Sequence, residues 1–397
     1  MPESFVAWVD YSAAEQEKMR QAIALFKETE TRDELGLGVI RDILADLLFP
    51  GTSTIQTRLR YFLILPWVYS ELLNSRRVTS ANVSQKVRQL ELDLIEPLKA
   101  SGSEGVFGAV SGRTIKRRPS SVYWNGLRTW GVFRGPWSQD DYHRRWDDIR
   151  THNQEVIVAD DTGIAPARVQ VWDRLPSPPP DWTTASSLEL SRPEAEYLRA
   201  RMGSCRGSLL AYFAAQQRPD LDAPTPWTAT DNLPPKLARM VRQAQGLSVT
   251  MRGAPLLYSL DLCERDANTE KADIHRERLD AWSKDAASFL ETWSPAELWQ
   301  FLADEGHGIP TARLDRRFVD DWFACIREIG AGNIIDNSEA RRLIEHRERH
   351  VKGHARSRYT NAQARARWSG DSGTAPIDYR WFRVRILLRD LYAGLDR

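Results

Sequence analysis

The 397-residue chain is 42% hydrophobic, a composition typical of a folded protein, and it is too long for one ordinary core. No apolar run approaches the ~18–20 residues that cross a bilayer, and the opening MPESFVAWVDYS lacks the pattern of a secretion signal, so we expect a cytoplasmic protein. The cysteines Cys205, Cys263 and Cys325 lie far apart without a CxxC pair. This spacing indicates reduced thiols in a core rather than a zinc site or a disulfide framework.

Helical patterns come first along the chain. Residues 12–28 begin with Ser12 and Glu15 at the spacing of a capping box, and apolar residues follow at helical intervals. A second helix is predicted at 36–48. Phe49–Gly51 then break the chain, because a Pro-Gly pair favours a turn.

The pattern becomes mixed after this break. Thr52–Thr54 offer N-caps for a longer helix with a kink near Pro66, and a further helix is predicted at 80–99. Strand-like alternation is sparse, and residues 155–160 and 167–173 carry the best examples.

The clearest boundary is Pro176–Pro180, whose composition is typical of a stiff, extended linker. Helical signals return beyond it. Ser191 with Pro193, and Ser294 with Pro295, each place a cap directly before a proline in the first helical turn.

These elements predict a mainly α protein of several domains with a small α+β middle region. A winged-helix-like unit is one arrangement for that region. We place an N-terminal helical domain at 1–100, the mixed region with its Pro-rich linker at 101–185, and a C-terminal helical domain with a basic segment at 186–397.

The net charge of +1 conceals two basic clusters. The segment Arg341–Trp368, which includes Arg356 and Arg358, carries nine Lys and Arg residues against two Glu. A second cluster, Arg113–Arg118 with Lys116 and Arg117, precedes the aromatic stretch SSVYWNGLRTWGVF. Basic patches attract phosphate backbones and neighbouring aromatic faces hold unstacked bases, although a solvated helix face is an equal alternative.

Common catalytic signatures are missing from the sequence. It contains no GxxxxGK[ST], HExxH or GxSxG pattern, so we expect no nucleotide cofactor. The histidines His346, His350 and His354 are four residues apart and would share one helical face. Their cationic neighbours disfavour a bound dication, so we expect no metal and no other cofactor.

The segment FPGTSTIQTRLR combines a turn with hydroxyl groups and then Gln56, Arg58 and Arg60. Free amides at a helix start favour a phosphate, which the two arginines would clamp. Simple N-capping is the equal alternative, with the arginines exposed or paired with Asp42 and Asp46.

Three stretches, FVAWVDYS, RDELGLGVIRDILADLLFPGTSTIQTRLRYFLILPWVY and PSSVYWNGLRTWG, resemble signature blocks of a bacterial family encoded in phage-defence loci. RGSLLAYF, GAPLLYSLDL and IDYRWFRVRILL extend the resemblance over most of the chain. The family includes a DNA glycosylase active against T-even-type phages whose cytosines carry glucosylated hydroxymethyl groups. The resemblance implies an enzyme that acts on double-stranded phage DNA, without a membrane, and with other proteins of the defence locus as partners.

A glycosylase extrudes its target base and holds it by stacking and by polar contacts to its edge. Tyr123, Trp124 and Asn125 supply both kinds of group, and Arg128 follows one turn later for a phosphate. Large aromatic residues are more often core packing, and Asn125 before a glycine is also typical of a turn.

Cleavage of the N-glycosidic bond builds positive charge on the sugar, which a carboxylate stabilises. Asp10 is our first candidate and Asp42 the second, while Gln56 would hold the leaving base or the water. Asp10 is equally suited to capping the helix that follows it. Further expected DNA contacts are Tyr11, Arg58, Arg60, Tyr61, Arg113, Arg117, Arg356, Arg358, Tyr379 and Arg380. For Tyr379 and Arg380 a role in domain packing is an equal alternative.

Two other classes of function remain open. A non-catalytic reader of modified phage DNA would use the same arginines and aromatic rings without a catalytic carboxylate. A scaffold subunit of a defence complex would use the tryptophans in protein interfaces.

Overall fold

The computed structural model describes residues 34–151, 170–371 and 373–397. The predicted helix at 12–28, with Asp10 and Tyr11 before it, lies outside these residues, as do most of the two strand candidates. Within the described ranges, β pairing is limited to one antiparallel bridge between Phe133 and Trp172. The mainly α fold predicted from the sequence is confirmed.

The chain forms two compact units, each built from separated segments. Residues 42–242 and 378–397 form one, here called the aromatic unit. Residues up to 41 and 243–377 form the other, here called the ionic unit. The three consecutive domains at 1–100, 101–185 and 186–397 stay a prediction. None of the described helices is long and apolar enough to cross a membrane.

The helices of the aromatic unit are mostly short, and the first of them begins just before the unit's border. In chain order they are α1 (Gly38–Leu48), α2 (Tyr61–Leu73), α3 (Val83–Asp93), α4 (Ile95–Ala100), α5 (Pro119–Thr129), α6 (Gln139–Arg144), α7 (Arg192–Gly203), α8 (Leu209–Ala215) and, from the distant segment, the helix Trp381–Leu395.

The ionic unit has the longest helices, and the first of these begins before the unit's border at residue 243. They are α9 (Pro235–Arg265), α10 (Thr269–Thr292), α11 (Pro295–Asp304), α12 (Leu314–Ile329), α13 (Ser338–Lys352) and α14 (Ala362–Ala366). The helix Trp381–Leu395, which belongs to the aromatic unit, follows these in the chain and is α15.

Local signals explain several helix starts. Ser191 and Glu194 form a complete capping box at the start of α7, with Pro193 in its first turn. Pro295 begins α11 directly after Ser294, as predicted. The capping box satisfies the first free amides of α7 locally, whereas Ser294 makes no side-chain hydrogen bond to α11.

The start of α2 differs from the prediction. The helix begins at Tyr61, not after the hydroxyl residues Thr52–Thr54, and Pro66 lies inside it. Residues 49–60 form turns instead, with Gly51 at a φ of +77°, where glycine avoids steric strain. The reason is a set of distant contacts that take up the amides of this segment.

An aromatic cluster forms the core of the aromatic unit. Tyr69 stacks on Trp172 with ring centroids 5.3 Å apart, and Tyr142 and Trp124 pack edge-on against Tyr69 and Trp172, respectively. The distant helix α15 adds Trp381, whose indole donates a hydrogen bond of 2.8 Å to the carbonyl of Ala223. Residues 378–397 therefore complete a core that the first segment leaves open.

Tryptophans against glycines organise the ionic unit. A Cβ at Gly253 of α9 would overlap the ring of Trp282 from α10, and the indole of Trp282 donates a 2.7 Å hydrogen bond to the carbonyl of Val249. Gly246 has the same relation to Trp293. The two glycines let the tryptophan rings lie directly on the backbone of α9.

Candidate functional site

The predicted phosphate-binding turn has its polar groups in use. Gln56 is 1% exposed; its amide donates to the carbonyl of Gly51 at 3.1 Å, and its oxygen accepts the backbone N–H of Ser53 at 3.2 Å. The hydroxyl of Tyr123 accepts the N–H groups of Thr57 and Arg58 at 2.9 and 3.0 Å. These contacts hold the turn in place within the aromatic unit.

The two arginines of this turn form ion pairs with other segments of the aromatic unit. Arg58 makes a two-pronged contact with Asp390 of α15, with N–O distances of 2.8 to 3.0 Å. Burial raises the pKa of Asp390, although Arg58 opposes that shift. Arg60 is buried, pairs with Glu194 at 2.7 Å and covers the ring of Trp67. Both guanidinium groups therefore connect elements of the fold.

The YWN triplet is divided between the two sides of α5. Tyr123 and Trp124 are buried, as is Tyr61, whose hydroxyl accepts the N–H of Phe107 at 3.0 Å. Asn125 is exposed. The three residues are neighbours in sequence but do not form one site, because the two rings are buried and the amide of Asn125 is exposed.

The alternative interpretation of Asn125 and Gly126 as a turn is wrong. Both residues lie inside α5. Gly126 is required there because a Cβ would overlap the carbonyl oxygen of Gly51 and the ring of Phe62. Arg128, one turn further, is exposed and donates to the carbonyl of Pro136 at 3.2 Å.

The remaining predicted DNA contacts of the aromatic unit are exposed or form ion pairs. Arg113 and Arg117 are exposed, and Arg113 pairs with Asp93 at 3.0 Å. Arg380 pairs with Asp46 at 2.6 Å and lies 4.0 Å from Asp42, which is itself exposed.

The residue before Arg380 is buried. Tyr379 is 1% exposed and packs edge-on against Trp227. Arg380 also donates to the carbonyl of Thr52 at 2.8 Å. Both residues have positive φ values, of +53° and +71°, directly before α15. They shape the entry to this helix.

Part of the basic segment Arg341–Trp368 is buried among carboxylates. Lys352 and Arg358 both pair with Glu34, and Lys352 also lies 3.0 Å from Glu348 of the same helix. The hydroxyl of Tyr258 donates to Glu348 at 3.2 Å and accepts from both cations. We call these five residues the buried ion network. Two acids balance two bases in it, as burial of charge requires.

Other cations of the segment also serve the ionic unit. Arg341 contacts Asp261 and Glu264 of α9, and Arg365 pairs with Asp266 at 2.6 Å. Arg347 is buried and donates to the carbonyls of Leu35 and Gly36. The local charge excess read from the sequence is therefore smaller at the surface than in the chain.

A set of basic side chains nevertheless remains exposed on α13. Arg342, His346, Arg349 and His350 are spaced so that they share one helical side, opposite the buried residues of the helix. Arg356 joins them, because it donates to the carbonyl of Lys352 at the end of α13. We call these five residues the cationic face.

The cationic face has few acids beside it. Glu345 pairs with Arg265 at 2.8 Å, and it also lies 3.6 Å from Arg349. Glu339 is at the opposite, N-terminal end of α13, where the helix dipole favours a carboxylate. The C-terminal half of the face is therefore positive.

A groove of about 500 Å³ opens in the aromatic unit. Three tryptophans line it: Trp67 of α2, Trp172, and Trp182. Trp67 and Trp182 meet edge to face with centroids 5.9 Å apart, and the indole of Trp67 donates to the carbonyl of Pro176 at 2.9 Å. Pro176 and Pro178, which the sequence predicts to lie in a linker, form part of its lining.

Polar side chains surround these rings. Glu71, Asn74 and Gln170 line the groove and are exposed. Among the described residues, none of these three side chains makes a hydrogen bond or an ion pair. Asp173 also lines the groove, but its carboxylate is held by Arg201 at 3.1 Å and by Arg134.

Buried side chains that are hydrogen-bonded to one another fix the position of Trp172. Its indole donates to Tyr142, and it stacks on Tyr69. The hydroxyl of Tyr69 accepts from Gln139 and forms a 2.8 Å hydrogen bond with Nε2 of His143. Burial lowers the pKa of His143 to about 4, so this ring is neutral at neutral pH. The groove thus has a firmly positioned wall.

Residues 3–393 match the model of a family of unknown function, DUF6361. The comparisons with curated proteins and with solved structures gave no match. The activity must therefore be inferred from the residues of this chain.

Proposed function

Since the chain belongs to DUF6361, a family of unknown function, we propose its activity from the sequence resemblance and from its exposed basic residues: a DNA N-glycosylase that removes modified cytosine from phage DNA in the cytoplasm. The modification is a glucosylated hydroxymethyl group, and the product is an abasic site that blocks phage replication. The resemblance in the sequence supports the reaction, and the cationic face supports the substrate.

The cationic face is the observation that carries the proposal. Its arginines Arg342, Arg349 and Arg356 are exposed, whereas Lys352 and Arg358 of the same segment are used inside the ionic unit. Exposed arginines without tight carboxylate partners release counterions from a phosphate backbone. A helix side of this kind follows a duplex backbone without reading its sequence.

The reaction needs a carboxylate near C1′ of the sugar. The sequence offers Asp10 and Asp42 for this role, and Gln56 to hold the leaving base or the water. Asp10 lies outside the described residues and stays our first candidate. Asp42 is exposed and lies 4.0 Å from Arg380. Gln56 would have to leave its two turn contacts in order to reach a base.

That commitment of Gln56 favours a second candidate, a non-catalytic reader of modified phage DNA. Arg58, Tyr61 and Tyr123 are likewise held in the interior of the aromatic unit. A reader needs the cationic face but no catalytic carboxylate. Partners from the same defence locus would then supply the nuclease or glycosylase activity.

One experiment separates the two candidates. The purified chain is incubated with three duplexes of the same sequence that carry unmodified, hydroxymethylated or glucosylated cytosine. We expect free modified base and alkali-labile abasic sites from the glucosylated duplex alone. Binding without base release on all three duplexes would refute the glycosylase and leave the reader. Absence of both binding and release would refute both.

The role of the cationic face is tested by salt dependence. The double variant Arg342→Gln with Arg349→Gln is expected to bind every duplex more weakly, and the slope of log K against log salt should fall in magnitude by about 2. The matched control, Lys284→Gln with Arg317→Gln, removes the same charge from exposed positions of α10 and α12. Equal slopes in the two double variants would contradict the assignment.

A further inference from the structure

The groove in the aromatic unit carries a second inference, which rests on the proposed function. Its lining combines aromatic rings with polar side chains that make no hydrogen bond or ion pair with the described residues. Trp67 and Trp172 supply the rings, and Glu71, Asn74 and Gln170 supply one carboxylate and two amides. Exposed polar groups at the edge of a groove are available to orient a ligand.

The size of the groove limits the ligand. Its volume of about 500 Å³ lies within the roughly 300–1,000 Å³ of small-molecule sites. The three tryptophans are almost fully buried, so a ligand meets their edges and small remaining faces rather than an open platform. A flat ring that enters between the α2 side and the 170–178 segment suits this shape best.

The charge of the groove limits it further. Among the described residues no cation pairs with Glu71, while the charge of Asp173 is balanced by Arg134 and Arg201. An anionic group is therefore disfavoured inside the groove, because it would face a free carboxylate. Ring N–H and exocyclic amino groups, in contrast, would find an acceptor in Glu71 and complementary partners in the amides of Asn74 and Gln170.

We infer that this groove binds an extruded pyrimidine base of the cytosine type, with the phosphates of the strand remaining outside. The exocyclic amino group donates to Glu71, and the amide of Asn74 or Gln170 contacts the remaining ring edge. The ring of the base lies against the small exposed parts of Trp67 and Trp172. Such pockets accept a base that has left its helix, as the proposed reaction demands.

The first test uses the intact chain and free cytidine. Saturation-transfer NMR is expected to show transfer from the protein to the ring protons H5 and H6. Glu71→Gln keeps the shape of the side chain but loses the charge, and should weaken binding roughly tenfold or more. Asn74→Trp fills the groove and should abolish the transfer. Arg76→Trp, an exposed position of the next turn that does not line the groove, should bind as the native chain does.

The outcomes decide the inference independently of base release. No transfer to cytidine in the native chain, or equal transfer in Asn74→Trp, would overturn the pocket. If glucosylated DNA loses its base equally well in the native chain and in Asn74→Trp, the pocket is wrong and the glycosylase stands. If the native chain releases no base from DNA, the glycosylase is refuted, while the cytidine result still decides the pocket.

Discussion

Glu91 provides the sharpest test of the energetics of the aromatic unit. This carboxylate lies on α3 and is 7% exposed. It accepts the backbone N–H of Ser120, in the first turn of α5, at 2.6 Å, and Arg118 is 4.0 Å away. Burial raises the pKa of Glu91 to about 7 from its ordinary value of 4.5, and the hydrogen bond and Arg118 only partly oppose this.

The sign of the effect follows from proton uptake. Between pH 4.5 and pH 7 the folded chain holds a proton on Glu91 that the unfolded chain has released, so stability falls as the pH rises through this window. The difference of 2.5 units corresponds to about 3 kcal/mol of unfolding free energy, fully lost by pH 8. Below pH 4.5 the contribution is fully retained.

Glu91→Gln removes this dependence. Glutamine retains an oxygen for the N–H of Ser120 but carries no charge at any pH. We expect the variant to match the native chain near pH 4.5 and to exceed its stability by up to about 3 kcal/mol at pH 8. Urea unfolding followed by tryptophan fluorescence at four pH values between 4.5 and 8 measures the difference.

The control for this experiment is Glu96→Gln on α4. Glu96 is exposed and pairs with the exposed Lys99 at 3.1 Å, so its substitution should change stability by less than about 0.5 kcal/mol throughout the range. A stability difference between Glu91→Gln and the native chain that is the same at pH 4.5 and pH 8 would refute the assignment of a raised pKa.

Three further substitutions test the packing. Gly253→Ala should cost about 1–3 kcal/mol in thermal unfolding, because its Cβ meets Trp282, whereas Gly308→Ala has open space and should cost far less. Glu348→Ala should cost about 3–5 kcal/mol in urea unfolding, since it leaves two buried cations with one acid, and a loss under 1 kcal/mol would contradict the buried ion network. Tyr123→Phe should cost about 2–4 kcal/mol by the same measurement, since two N–H groups and one carbonyl lose their partner. Unchanged stability there would show that the turn does not depend on this hydroxyl.

The elements that could be predicted from sequence are those with local causes. The starts of α7 and α11 follow from Ser191 and Ser294, each directly ahead of a proline-containing first turn. The start of α2 was missed, because Tyr123, more than sixty residues away, takes the N–H groups of Thr57 and Arg58. Nothing in the segment itself reveals that contact.

Charge patterns had the same limitation. The excess of cations between Arg341 and Trp368 was visible, but its division into buried and exposed members was not. That division depends on Glu34, some three hundred residues earlier, which neutralises Lys352 and Arg358. The groove was missed for a related reason, since Trp67 and Trp182 meet only through the fold. A tryptophan count alone does not distinguish a cavity wall from a core.

The order in which the chain is made bears on the aromatic unit. Residues 42–242 leave the ribosome long before 378–397, and the whole stretch 243–377 is synthesised in between. Until α15 emerges, Arg58 has no Asp390 and the carbonyl of Ala223 has no Trp381. The nascent unit therefore keeps part of its apolar surface uncovered until the last helix is synthesised, and exposed apolar surface of this kind favours aggregation.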